Sequence, residues 1–231
     1  MDEIIIKAQQ IEHQERKRLT KLFKKSISPE TMSSAVRSIH KNIDDYRILN
    51  IEKYNIKLAC KEGCTYCCRH LRVEVFLPEV FRIKNYLEKH CSKEELSNIK
   101  SVIATTAKRA QNLSDQEHNT ARIACPLLID NNCSIYSVRP GMCRKYHSLE
   151  VDPCIKRYDE PTNETHGAIS VRGLSLGVMS FLKGLHHSLK KQKLDGNTYE
   201  LSQALDVVLN NPKAYAQWRQ GKAIFTPLPE V

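Results

Sequence analysis

No apolar run in the 231-residue chain approaches the roughly 18 residues that a membrane-spanning helix requires, which excludes a helical membrane protein. Ile4-Ile5-Ile6 is too short for the apolar part of a signal peptide and no small-residue cleavage site follows it, so the expected location is the cytoplasm. Thiols stay reduced there, which turns the nine cysteines, an odd number in any case, from disulfides towards metal or redox chemistry. The sequons at Asn112 and Asn163 carry no weight in that compartment. No G-x-G-x-x-G follows a strand pattern, so a Rossmann-type cofactor site has no support. Internal repeats, low-complexity segments, RNP-like patterns and DNA-binding motifs are also missing, and a nucleic-acid partner is not expected.

What is present suits one globular domain, long enough to bury a core without metal staples, with 41% hydrophobic and 27% charged residues. Thirty-six basic against 26 acidic residues leave a net charge of +10, which permits an anionic partner without choosing one. Part of the excess lies between Lys7 and Lys25 and reads as a solvated face. Residues 1–27 read as a basic, frayed or partly helical arm, 28–221 as a single domain with a cysteine-bearing core at 60–154 and C-terminal helices at 174–221, and 222–231 as a proline-containing tail.

The predicted architecture is mainly α, with helices around a cysteine-rich loop region and a few short β-strands. Ser28-Pro29 opens a helix whose stripe of Met32, Val36, Ile39, Ile43 and Tyr46 should carry it to about Lys57. Alternation at Leu71, Val73 and Val75 predicts a strand, and Pro78 starts a helix to about His90. Ser92 with Glu95 forms a capping box for a helix from Lys93 to about Leu113. Asp130-Asn131-Asn132 is a turn signal, Pro140-Gly141 suits a type II turn, and a short strand is expected at Ile169 to Val171. Leu174 to Leu189 is amphipathic, with Gly177, Ser180 and Gly184 suited to close packing. Further helices are expected from Asn197 to about Leu209 and from Asn211-Pro212 to near Gly221.

The densest chemistry is Cys60-x3-Cys64-x2-Cys67-Cys68, four thiols within nine residues. On a helix these positions share one narrow arc; in a loop, Gly63 permits the φ > 0 turn that converges them, and the spacing leaves both geometries open. Cys125, Cys133 and Cys143 follow, then Cys154, whereas isolated Cys91 reads as a spare thiol. Thiolate sulfurs suit tetrahedral zinc or an iron–sulfur cluster, and eight thiols allow one site with spare or redox-active sulfurs, or two sites. Cys60, Cys64, Cys67 and Cys143 are the first choice for a single site, with adjacent Cys67 and Cys68 in unequal roles. Thiols are preferred over His70 and His147 as ligands, and Arg139 and Arg144 beside Cys143 are placed to offset thiolate charge or to hold an anionic group.

Three blocks, Cys60-x3-Cys64-x2-Cys67-Cys68, Cys125-Pro-Leu-Leu with Cys133-Ser-Ile-Tyr136, and Arg139-Pro140-x-x-Cys143-Arg144, together resemble the YkgJ-type cysteine-cluster family of zinc- or iron-chelating domains. Its pattern is written CxxCxxCC, whereas three residues separate Cys60 from Cys64 here. The resemblance implies metal binding through Cys60, Cys64, Cys67, Cys68, Cys125, Cys133 and Cys143. The chain also resembles the related flagellin lysine N-methylases, which implies a 4Fe-4S cluster, S-adenosylmethionine as cofactor and a protein substrate. Cysteine blocks alone supply no substrate site, so activity is left open.

Overall fold

The structure, a computed structural model, describes residues 2–61, 63–163, 165–222 and 224. Helix α1 (Glu3–Lys25) begins where the Asp2 carboxylate accepts the Ile4 N–H at 3.0 Å. The expectation of an arm gives way here, because Leu19 and Phe23, one turn apart, are buried in the main core and the helix lies along α8 (Arg172–Lys191). Both helices approach closely because Gly184 lacks a side chain: a Cβ there would stand 2.8 Å from Glu15 Cβ. Ser188 at the same crossing donates to the Arg16 carbonyl at 3.1 Å.

Helix α2 (Pro29–Lys53) is capped by Ser28 and buries Met32, Val36, Ile39 and Ile43. It stops short of Lys57, with Asn55 in the left-handed region at φ 48°. Tyr46 does not join the fully buried stripe; its ring lies over Gly177 of α8 and its hydroxyl donates to the Gly173 carbonyl at 2.9 Å.

A two-stranded antiparallel ribbon closes the core on the other side. Strand β1 (Glu74–Phe76) pairs with β4 (Thr198–Glu200), Val75 opposite Tyr199. The helix expected from Asn197 therefore starts later, as α9 (Leu201–Asn210), because residues 198–200 satisfy the edge of β1 and Leu201 N–H donates to the Val73 carbonyl at 2.9 Å. Glu200 then caps α9, accepting from Ser202 N at 3.0 Å and Gln203 N at 2.9 Å. Helices α3 (Leu77–His90) and α4 (Lys93–Ala110) pack on α9, α4 behind the expected Ser92–Glu95 capping box.

Helix α5 (Asp115–Thr120) was not anticipated, although Ser114 and Glu117 repeat the same capping box. A minimal hairpin of β2 (Leu128–Ile129) and β3 (Asn132–Cys133) turns at Asp130 and Asn131, with φ of 48° and 59°. The type II turn at Pro140-Gly141 does not form. Pro140 instead precedes α6 (Gly141–Lys145), with Gly141 pressed against Leu182 and its N–H donating to Glu79 Oε1 at 2.8 Å. Helix α7 (Asp152–Asp159) carries Cys154. Residues 169–171 form no strand, although Ile169 accepts the Leu149 N–H at 2.9 Å. The last helix among the described residues, α10 (Ala214–Arg219), buries Trp218, and most of the expected tail lies outside the described residues. Among the described residues no helix is long and apolar enough to cross a membrane.

Candidate metal centre

The cysteine blocks meet through backbone hydrogen bonds. After α2, Ala59 N–H donates to the Ser148 carbonyl at 2.9 Å and Ser148 N–H approaches Cys60 Sγ at 3.3 Å, which pins the start of the first block to the segment after α6. Gly63, at φ 80°, turns the chain, and Cys64 N–H closes onto the Lys61 carbonyl at 3.0 Å. The loop geometry for the first block is therefore the one adopted, with a single 3-10 turn at Cys67–Arg69. Cys125 N–H donates to the Cys68 carbonyl at 2.8 Å, joining the first and second blocks directly. Arg69 strengthens that joint by donating to Thr65 Oγ1 at 3.1 Å and to Asn131 Oδ1 at the hairpin turn at 2.9 Å.

The third block is held from beneath. Arg144 is buried and fully engaged, pairing with Asp44 of α2 and donating to the carbonyls of Arg139 and Ser137, both at 3.1 Å. It is thus a brace for the loop that presents Cys143 and is not available to an outside anion. Glu79 of α3, 1% exposed, accepts from Gly141 N, Phe76 N and His40 Nε2 at 2.8, 3.1 and 2.8 Å. Burial pushes the Glu79 carboxyl up, but these donors outweigh it and hold the group ionised below the usual carboxylate range. His40 is pushed down by its own burial and donates as a neutral ring.

These supports bring Cys60, Cys64, Cys67, Cys68, Cys125, Cys133 and Cys143 onto the wall of one cavity of about 210 Å³. Cys91 and Cys154 do not line it; Cys154 lies outside, near enough to Cys60 for their charges to interact. Within the ring the thiols fall into two neighbourhoods. Cys143 interacts with Cys125, Cys133 and Cys67, whereas Cys60 interacts with Cys64, Cys67 and Cys154, so Cys67 belongs to both. Cys67 and Cys68 Sγ lie 3.9 Å apart, close to the roughly 3.8 Å edge of a tetrahedron with Zn–S of about 2.3 Å. Among the described residues no three Cys, His, Asp or Glu side chains are already gathered tightly around one point, so the sulfurs ring the cavity.

His147 is a poor ligand here, since Nδ1 donates to the Lys145 carbonyl at 2.7 Å and Nε2 accepts from Val171 N–H at 2.9 Å. His70 uses Nδ1 on the Tyr66 carbonyl at 2.9 Å and does not line the cavity. Burial pushes the Cys125 thiol up to about 12 and Cys143 well above its usual value; Cys67 is raised chiefly by its hydrogen bond with Cys68. Without a cation the inner thiols therefore keep their protons, and a bound metal would displace them, which couples affinity to pH. Soft donors in excess, six of the seven partly buried and Cys60 exposed, fit zinc or iron.

Residues 59–165 match the sequence profile of the CxxCxxCC family, described as a putative zinc- or iron-chelating domain. The matched stretch takes in every cavity cysteine, together with α7, while α1, α2 and the helices from α8 onward lie outside it and supply much of the core on which it rests. No curated protein and no solved structure matches the chain. Sequence spacing missed Arg47 of α2, which lines the cavity beside Arg139; it lies thirteen residues before the first cysteine and nothing in its local pattern marks it.

Proposed function

We propose that this is a cytoplasmic protein of the YkgJ type whose thiol cavity holds an iron–sulfur cluster. The observation that carries this reading is the meeting of seven cysteines around about 210 Å³. A single tetrahedral zinc ion sits inside four touching sulfurs and needs no such space, since its whole coordination shell has a radius of about 2.3 Å. A cavity many times larger than one ion or one water needs suits a group of several atoms.

The inner neighbourhood, Cys67, Cys125, Cys133 and Cys143, is the ligand set we favour, because the charges of these four thiols act on one another. The set suggested by spacing, Cys60, Cys64 and Cys67 with Cys143, spans both neighbourhoods. Bound there, a cluster supplies one-electron chemistry or a structural cross-link. The protein's own residues shield it: Tyr146 and Pro140 close the wall near Cys143, and Glu79 holds the helix that presents this thiol.

Anaerobic purification followed by iron, zinc and sulfide analysis with absorption spectroscopy tests the proposal. Iron and sulfide in equal amounts, lost in Cys133→Ser and retained in Cys91→Ser, are expected. Stoichiometric zinc with neither iron nor sulfide from anaerobically grown cells would overturn it in favour of a zinc–thiolate site.

A further inference from the structure

Two arginines share the thiol cavity and, among the described residues, hydrogen-bond to none of its thiols. Arg47 comes from the last turns of α2 and Arg139 from the residue before Pro140, and both face the same space as the seven sulfurs. Among the described residues neither guanidinium takes part in a hydrogen bond or an ion pair, and the Nε of each is buried without a partner. Arg139 is fixed in place by its plane lying 4.1 Å from the Tyr136 ring. Asp44, a neighbouring carboxylate on α2, is committed to Arg144. Arg144 is the useful contrast, because it spends its donors on Asp44, Arg139 O and Ser137 O.

The pair is held in an unfavourable arrangement. Burial first, and then the charge of Arg139, lower the pKa of Arg47. Each guanidinium carries five N–H donors, and a buried donor without an acceptor costs more than one left in water. Two like charges facing one cavity add to that cost, and an anion between them removes both penalties. Were these groups merely neutralising thiolates, N–H···S hydrogen bonds to the surrounding sulfurs would be the natural geometry, yet neither arginine makes one among the described residues. The planar fork of a guanidinium selects paired oxygens, as carboxylate and phosphate present them.

We propose that Arg47 and Arg139 form an oxyanion subsite on the wall of the thiol cavity, which takes the carboxylate or phosphate group of a small ligand and sets the rest of that ligand against the sulfur ring. What the ligand faces rests on the metal-centre reading above; binding of the anion itself does not, since both arginines belong to the protein and hold their charge in either state.

The test is calorimetric titration of the full-length protein at low ionic strength, metal-loaded and metal-free, with inorganic phosphate and separately with acetate. Saturable binding of at least one probe at one site per chain is expected, and the probe that binds assigns the anion to phosphate or carboxylate. Arg47→Gln and Arg139→Gln should each weaken that binding by about 10- to 100-fold, the loss expected for a charge-assisted hydrogen bond. Arg47→Lys should recover only part, because the charge is kept and the fork is lost. Arg109→Gln, on the exposed face of α4, should change nothing. Melting curves identify any variant that fails to fold, and half-exposed Arg47 keeps the test open should Arg139→Gln do so. No saturable binding of either probe in either state, or affinities within twofold in both glutamine variants, overturns the proposal. Loss of metal from Arg47→Gln, with no anion bound by the parent protein, assigns the arginines to charge compensation and also overturns it. A parent protein that binds anion through Arg47 yet holds no iron and sulfide overturns the cluster and leaves the subsite standing.

Discussion

Replacing Glu79 by glutamine tests how the core controls the presentation of Cys143. The carboxylate is 1% exposed and receives three donors, His40 Nε2 and Gly141 N on Oε1 and Phe76 N on Oε2. Glutamine conserves shape but has only one acceptor oxygen. With that oxygen in the Oε1 position, the NH₂ meets the Phe76 N–H donor to donor; flipped, it meets His40 and Gly141 instead. At least one buried donor is therefore stranded at about 1–3 kcal/mol, and the two remaining hydrogen bonds lose their charge assistance, so a total of about 2–4 kcal/mol is expected. Glu79→Ala strands all three and opens a cavity, which takes it towards the whole stability of an ordinary domain, about 5–15 kcal/mol. Urea unfolding followed by far-ultraviolet circular dichroism at pH 7 measures the loss as a shift in midpoint at constant slope. Native-state alkylation provides the local readout, because Cys143 should react faster once Gly141 is released. A glutamine variant within about 0.5 kcal/mol of the parent and with unchanged alkylation would refute this account of the site, since surface-like behaviour is incompatible with three satisfied donors.

Three further outcomes follow from the same structure. Anaerobic removal of the metal should lower the melting temperature by about 10 °C or more, since a cross-link between Cys67 and Cys143 closes roughly 75 residues and is worth about 4–5 kcal/mol by loop entropy; an unchanged transition in calorimetry would rule out a structural role. The metal-free protein should lose stability as pH falls below the ordinary histidine value of 6.5, because burial lowers His147, which accepts from Val171 N, and likewise lowers His40, His70 and His118. The unfolded chain then binds more protons than the folded one, so urea midpoints at pH 7.5 and 5.5 should decline in that order, and a flat profile would contradict it. Gly177→Ala places a Cβ 2.2 Å from the Tyr46 ring and threatens the Tyr46–Gly173 hydrogen bond, so a loss of about 1–3 kcal/mol is expected in the same unfolding assay.

Much of the helical framework was legible because its signals are local. Ser28 with Pro29, Ser92 with Glu95, and the glycine-lined stripe of α8 each combine a cap or a period with residues adjacent in sequence. Legibility ended where a distant partner decided the outcome. Residues 198–200 carry a helix-start pattern, yet they form a strand because β1 offers an unpaired edge more than a hundred residues earlier. Gly141 follows proline as a turn residue would, but Glu79 and Leu182 claim its N–H and its bare Cα, and a helix starts there instead. The basic N-terminal segment is a packed helix for the same reason, since Leu19 and Phe23 acquire meaning only against α8.

The candidate centre divides along the same line. Which residues are the candidates for metal chemistry was legible in the sequence alone, because four thiols within the nine residues of a Cx3Cx2CC run, followed by Cys125, Cys133 and Cys143, are donors of the type that soft metals select. How they are grouped was decided only by the tertiary structure. The Cys68–Cys125 backbone bond and the Glu79–Gly141 bond fold three blocks around one cavity, Cys67 joins an inner and an outer set, and α2 delivers Arg47 to the same wall. Donor type is a property of single residues and can be read one position at a time; a shared cavity depends on distances between segments far apart in the chain, and those exist only once the core has packed.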